Sequence, residues 1–206
     1  FTITTDACRA YMATHELPEG LADEVAAHVR ALEEKTGKRF GDESDPLLVS
    51  VRSGAAISMP GMMDTILNLG LNDAALAGLA AGTGNRRFAL DSYRRLIQMF
   101  GEVVDGIDAH RFEDALTRLK RERGVEADTD LTADDLEELV ATFRETYRAE
   151  KGQDFPQDAT GQLMLAVRAV FDSWETPRAR VYRKANGIAD DLGTAVNVVQ
   201  MVFGNK

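Results

Sequence analysis

Apolar residues along the chain change rhythm several times. Phe1 to Thr4 is rich in β-forming residues and predicts a short strand, after which Thr5 or Asp6 caps a helix reaching about His15. Leu21, Val25, Val29 and Leu32 then recur at helical spacing, with Pro18 in the first turn and Gly37 as the stop. Lys38 to Asp45 is polar and predicts a loop. Leu47 to Val51 is a short, nearly continuous apolar run closed by Pro46 and Gly54, the pattern of a buried strand. Residues 53–61 hold two glycines, two serines and one proline, a composition that disfavours regular structure. From Met62 to Leu69 the spacing returns to that of a helix, which stops at Gly70.

From Asn72 to about Val170 the pattern is helix after helix. Asn72 caps an alanine-rich helix that ends near Gly82 and Gly84. Asn85 caps the next, whose stripe is Tyr93, Leu96, Ile97, Phe100, Val103 and Val104. Phe112, Leu116 and Leu119 define a helix ended by Gly124. Thr132 with Asp135 resembles a capping box with aspartate in place of the usual glutamate, and Leu136, Leu139, Val140, Phe143 and Tyr147 follow as a stripe. Asp158 caps a helix with Leu163, Val167, Val170, Phe171 and Trp174 inward, and Pro177 begins another that Gly187 ends. Ala195 to Phe203 is valine-rich and predicts a strand returning to the sheet. The expected fold class is α+β, predominantly helical. A small mixed sheet comes from residues 1–71 plus 171–206, and a helical insert fills residues 72–170.

Composition narrows the function classes. With 206 residues, 44% hydrophobic and 28% charged, the chain has ample core for a globular domain. A net charge of −10 argues against nucleic acid as a partner, because phosphate contacts need a basic face. No stretch approaches the roughly 18 apolar residues of a membrane span. Cys8 is the single cysteine, which leaves no disulfide framework and no thiolate metal site; a cytoplasmic setting is expected. The chain opens on Phe1 and closes just after an apolar run, so a fragment of a longer polypeptide is expected, and the missing targeting signals then say little about the parent.

Residues 46–70 carry the strongest chemical signal. A strand that delivers Arg52, a glycine-containing loop and a helix start would together cradle a polyphosphate, with backbone N–H groups, a helix N-terminus and a forked cation facing the anion. The same pattern also fits a surface turn with a salt-bridged arginine. Met62 and Met63 by their spacing are core residues. His15, His28 and His110 each stand without a second histidine nearby, and no carboxylate–histidine cluster marks a metal site. Gly82-Thr83-Gly84-Asn85 is not followed by Gly-Lys and is no Walker A loop. Asp190-Asp191 reads as solvated charge. The basic patch Arg178, Arg180, Arg183 and Lys184 either meets phosphate or pairs with acidic neighbours.

Several long strings resemble the nucleotide-binding domain of the pyruvate, phosphate dikinase family. They are Ser50-Val51-Arg52-Ser53-Gly54-Ala55, Ser58-Met59-Pro60-Gly61-Met62-Met63-Asp64-Thr65 with Ile66 to Asn72, and Asp91-Ser92-Tyr93-Arg94-Arg95. Near the end Pro177-Arg178-Ala179 and Gly193-Thr194-Ala195-Val196-Asn197-Val198 add to them, so the resemblance covers nearly the whole chain. It implies the first part of an ATP-grasp-like domain. It implies ATP as ligand, with Arg52 against the phosphates as the catalytic charge clamp. The backbone of Gly61, Met62 and Met63, the Thr65 hydroxyl one turn into the helix, and Gln200 complete the implied contacts. Asp64 would complement the helix N-terminus.

The family reaction converts ATP, pyruvate and phosphate to AMP, phosphoenolpyruvate and diphosphate through a phosphohistidine. The resemblance therefore implies as partner a swivelling phosphohistidine domain of the same parent chain, a homodimeric parent, and Mg2+ with ligands outside these residues. On that reading the chain alone is inactive. A phosphoenolpyruvate synthase-type relative and a helical docking module without nucleotide binding are the alternatives. Two positions depart from the family pattern: Ala56 stands where arginine is common, and Val199 where glutamine is common. Because side chains alternate along a strand, the one-residue offset to Gln200 turns that amide away unless a bulge restores it.

Overall fold

A computed structural model describes residues 1–203. It is a predominantly helical α+β fold of eight α-helices around a small sheet. The elements run β1 (Thr2–Ile3), α1 (Thr5–Thr14), α2 (Leu21–Thr36), β2 (Arg39–Phe40), β3 (Pro46–Leu47), β4 (Val49–Gly54), β5 (Thr65–Leu69), α3 (Asp73–Thr83), α4 (Arg86–Val103), α5 (Ala109–Arg123), α6 (Ala133–Lys151), α7 (Ala159–Ser173), α8 (Pro177–Asn186) and β6 (Ala195–Gln200). The main sheet has the order β1-β6-β4-β5 with every neighbour antiparallel. It is therefore not mixed as expected. The parallel pairing belongs to a separate two-stranded sheet, β2 with β3, of which β2 lies inside the Lys38–Asp45 stretch expected to be loop.

Helix ends follow their caps closely. Asn72 Oδ1 accepts from the Ala75 amide at 2.7 Å and Asn85 Oδ1 from the Phe88 amide at 2.9 Å. Thr132 and Asp135 form the reciprocal capping box, at 3.2 and 2.9 Å, and Asp158 accepts from the Gly161 amide at 2.9 Å. Each such cap contributes about 1 kcal/mol by satisfying amides that have no partner within the helix. Pro18 instead closes a turn before α2, its carbonyl accepting from Leu21.

The expected helix over Met62–Leu69 is a strand. Val51 faces Ile66 and Val49 faces Leu69, so three steps along β5 match two along β4. The extra residue forms a bulge at Asn68, which takes the left-handed φ of 62°. The bulge puts both Ile66 and Leu69, three apart in sequence, on the core face, and that spacing is what imitates a helix.

One hydrophobic core runs from Ile3, Val51 and Ile66 through Leu96 and Phe100 to Phe143. Within it the Phe155 ring meets Tyr93, Phe100 and Tyr147 edge-on at 6.0, 5.4 and 5.4 Å. No helix among the described residues is long and apolar enough to cross a membrane.

A buried amide ties the end of the sheet to the helices. Gln162 of α7 is fully buried; its Oε1 accepts from the Gly70 amide at 3.2 Å, and its Nε2 donates to Leu71 O at 3.0 Å and Pro156 O at 2.7 Å. Gly70 itself has φ +100°, and a Cβ there would sit 2.7 Å from the Phe40 ring and 2.8 Å from the Leu47 carbonyl. Replacing Gln162 by leucine keeps the volume and strips two buried and one half-buried backbone group of their partner. Equilibrium denaturation of Gln162→Leu is expected to show a loss of about 2–4 kcal/mol. A loss below about 0.5 kcal/mol would contradict the linking role.

Candidate functional site

The main sheet is two-faced. Ile3, Val196, Val198, Val51 and Ile66 point into the core, where α1 and α7 cover them. Directly opposed residues of antiparallel strands share a face, so the pairs Thr2–Asn197, Asn197–Arg52 and Arg52–Thr65 place these four side chains in one row across the other face. Three interstrand steps make that row about 14 Å long. Thr2 and Arg52 are exposed, Asn197 and Thr65 half-buried. Among the described residues Arg52 has no carboxylate partner and no side-chain hydrogen bond. That sets it apart from Arg86, Arg94, Arg123 and Arg183, all of which are held by aspartate or glutamate.

The β4–β5 connection leaves the sheet at the Arg52–Thr65 end of this row. Its anchor is Met59, which is buried in a satellite core with Trp174, Ala179 and Ile188, while Met62 and Met63 pack half-buried against the same group. Ser173 Oγ approaches Met63 Sδ at 3.9 Å. The Met62 amide is already used, donating to Met59 O at 3.1 Å, whereas those of Ala56, Ile57, Ser58 and Gly61 have no protein acceptor among the described residues. Gly61 is exposed with φ +72°, a conformation that favours glycine. Loop and strand end enclose an open hollow of about 460 Å³, lined by Ser53, Gly54, Ile57, Ser58 and Gly61 among others.

These positions revise the expected cradle. No helix starts here, so Thr65 is a strand residue opposite Arg52 rather than a hydroxyl one turn into a helix. Asp64 complements no helix N-terminus. It forms an ion pair with Arg178 in the first turn of α8, tying the loop to that helix. Two further arginines of the patch are structural too, while exposed Lys184 has no acidic partner among the described residues. Arg180 pairs with Glu175, and buried Arg183 stacks 4.3 Å from the Trp174 ring centroid while its Nε donates to Asp190 at 2.8 Å. Asp190 is therefore paired, not merely solvated. The conspicuous Asp91-Ser92-Tyr93-Arg94-Arg95 string also lies in the scaffold, with Arg94 bonded to Asp91 and Asp128.

Gln200 lies apart from the row. β6 pairs with β4 through six consecutive positions from Val49–Gln200 to Gly54–Ala195 without a bulge, so Val199 shares the Arg52 face and Gln200 takes the other. The glutamine lines a different hollow of about 390 Å³ with Lys38, Leu48 and Phe203. Asn197 and Thr2 are the residues that the sequence reading passed over. Their signal was parity: counting in twos along Val196-Asn197-Val198 puts a polar side chain on the face that carries Arg52.

Among the described residues no group of histidine, cysteine, aspartate and glutamate could hold a metal ion. The open face offers hydroxyls, an amide and a guanidinium, a donor set suited to an anion and poor for Mg2+. His15 ends α1 in a left-handed conformation, His28 stacks on Phe1, and Asp108 raises the pKa of exposed His110 by hydrogen bonding to it.

The family described as "Pyruvate phosphate dikinase, AMP/ATP-binding domain" matches residues 1–206. The chain is 58% identical over 205 residues to pyruvate, phosphate dikinase of Giardia intestinalis and 56% identical over 208 residues to that of Clostridium symbiosum. It is 55% identical over 205 residues to the chloroplastic enzyme 1 of Arabidopsis thaliana. These alignments take in 100%, 100% and 99% of this chain, but 23%, 24% and 21% of the three relatives. The chain thus spans less than a quarter of the length of each of these relatives.

Met59 should hold the loop in place. Met59→Ala is expected to destabilise the fold by about 2–3 kcal/mol and to make residues 55–64 the first site of limited proteolysis. If the cleavage rate in that loop stayed at the wild-type level, another contact would be the anchor.

Proposed function

The chain belongs to the pyruvate phosphate dikinase AMP/ATP-binding domain family, and from that premise we propose that the open face of its sheet and the 55–64 loop are the phosphate-binding wall of an ATP site. The observation that carries this is Arg52, an exposed arginine without a carboxylate partner in a chain of net charge −10, beside loop amides that have no protein acceptor. A guanidinium offers two parallel N–H groups to a phosphate and stays charged at any working pH. The Thr65 hydroxyl beside it and the Gly61 backbone would take further phosphate oxygens, with the Met63 amide closing the loop end while that of Met62 stays committed to Met59 O.

On this proposal Arg52 binds the phosphate chain in the ground state and offsets negative charge that grows on the phosphoryl group as it leaves. Bound Mg2+ would supply further charge neutralisation, held by groups other than the residues described here. The whole protein would then be a dikinase that makes phosphoenolpyruvate, AMP and diphosphate from ATP, pyruvate and phosphate. It would pass the phosphoryl group to a histidine on a swivelling domain of the same parent chain, in a homodimer. A first-part ATP-grasp arrangement fits, since the sheet has one wall open to receive a second. A reducing aqueous compartment suits the lone buried Cys8, whose thiol burial pushes to a higher pKa.

Arg52→Ala in the full-length protein tests the assignment. Loss of one charge clamp is expected to slow transfer from ATP to the carrier histidine about 100-fold, or ~3 kcal/mol. An unchanged single-turnover rate would remove Arg52 from the site. Omitting inorganic phosphate separates the dikinase from a phosphoenolpyruvate synthase-type reaction. The 206-residue chain by itself presents the row to open water, where phosphate contacts are screened and the net charge opposes a tetra-anion. Isothermal titration of this chain with magnesium–ATP is expected to give a Kd no tighter than about 1 mM; clear micromolar binding would mean that this wall alone makes the site.

A further inference from the structure

We infer that Asn197 is a further phosphate-contacting residue on this face, a fixed amide donor that sets where the nucleotide's phosphate chain lies against Arg52. The inference rests on the reading of the open face as the ATP wall. Asn197 sits in the middle of β6, directly opposite Arg52 on one side and Thr2 on the other. Thr2 Oγ1 donates to Asn197 Oδ1 at 2.7 Å, and that bond commits the carbonyl end of the amide. The Nδ2 end, with two donors, is thereby turned toward β4. Among the described residues it has no protein acceptor.

Gly54 makes room for this arrangement. Its φ is not in the left-handed region, so backbone conformation does not demand glycine there. The demand is spatial: a Cβ at position 54 would lie 2.4 Å from Asn197 Nδ2 and 3.4 Å from its Cγ. The asparagine side chain therefore lies across the end of β4, over the spot where any other residue would place a methylene. Gly54 also lines the hollow beneath the loop. An anionic oxygen at the Gly54 edge of that hollow would lie between the Nδ2 donors and the free loop amides, with the Arg52 fork next along the row. Each contact compensates for another's geometric looseness. The guanidinium is on a long, exposed stem, whereas the amide is short, half-buried and held at its far end, so the amide defines position and the arginine supplies charge.

The test uses the full-length protein and magnesium–ATP. Asn197→Asp keeps the shape and the bond from Thr2 but replaces the donors with an anion. It is expected to raise the KM for ATP roughly ten- to hundredfold, with kcat at saturation falling far less and the thermal midpoint close to wild type. Asn197→Ala should raise KM less than the aspartate does. Gly54→Ala, which displaces the amide, should reproduce the KM effect of Asn197→Ala and add little to it in the double variant. A wild-type KM in Asn197→Asp, alongside a damaged Arg52→Ala, would overturn the inference and leave the ATP wall standing. If neither variant changes ATP use, the wall itself is misplaced and the inference falls with it. Should Asn197→Asp fail to fold, Asn197→Ala with an unchanged KM would overturn it equally.

Discussion

The fold depends on how a sheet with one dry face is fastened to a layer of helices. Apolar contact does most of the holding, yet it does not fix where the chain leaves the sheet. That point is set by the Gln162 side chain, which satisfies the Gly70, Leu71 and Pro156 backbone groups in a site without water access. A buried amide that found only some of these partners would weaken the fold, because desolvation of the remainder would go uncompensated. Fully paired, it specifies one exit direction for β5. Gly70 reinforces this, since a side chain there would strike Phe40 and the Leu47 carbonyl.

Much of the helical layer was legible in the sequence, for a physical reason. Helix termini are local problems solved by local residues, and Asn72, Asn85, Thr132, Asp158, Gly37, Gly124 and Gly187 are cap positions in the structure. The hairpin was misread because its cause is not local. The bulge at Asn68 moves Leu69 onto the face of Ile66, and only pairing with β4 reveals that a spacing of three arises from a strand with one extra residue. Arg52 was legible as an arginine at a strand. Its neighbours in the row come from positions 2, 65 and 197, and no window of sequence contains them together. Gln200 stands out in sequence as an amide near the end of β6, while register puts Asn197 on the face of Arg52.

Charge placement leaves an acidic chain with one sheet face free of carboxylate pairing at Arg52. Asp64, the carboxylate nearest Thr65 in sequence, is neutralised by Arg178 and pulled toward α8. Glu175 and Asp190 are likewise occupied by Arg180 and Arg183. The acidic groups around the loop thus spend their field on the scaffold, and the sheet face keeps an unpaired guanidinium. Interactions of exposed pairs are individually weak, so their effect here is directional: they turn negative charge away from the row.

The strand order carries a consequence for how the protein is made. β6 lies between β1 and β4, and the Thr2–Asn197 pair closes a separation of 195 residues. The helices between them are rich in near-neighbour contacts and can form early, but the β1–β6 and β4–β6 ladders must wait until residue 200 is available. During synthesis β4 and β5 would stand as a hairpin with an open edge, the kind of edge that invites association with other chains. The arginine-bearing face is therefore the last part of this chain to be completed. A nascent polypeptide arrested before β6 would have a helical core and no row joining Thr2 to Arg52.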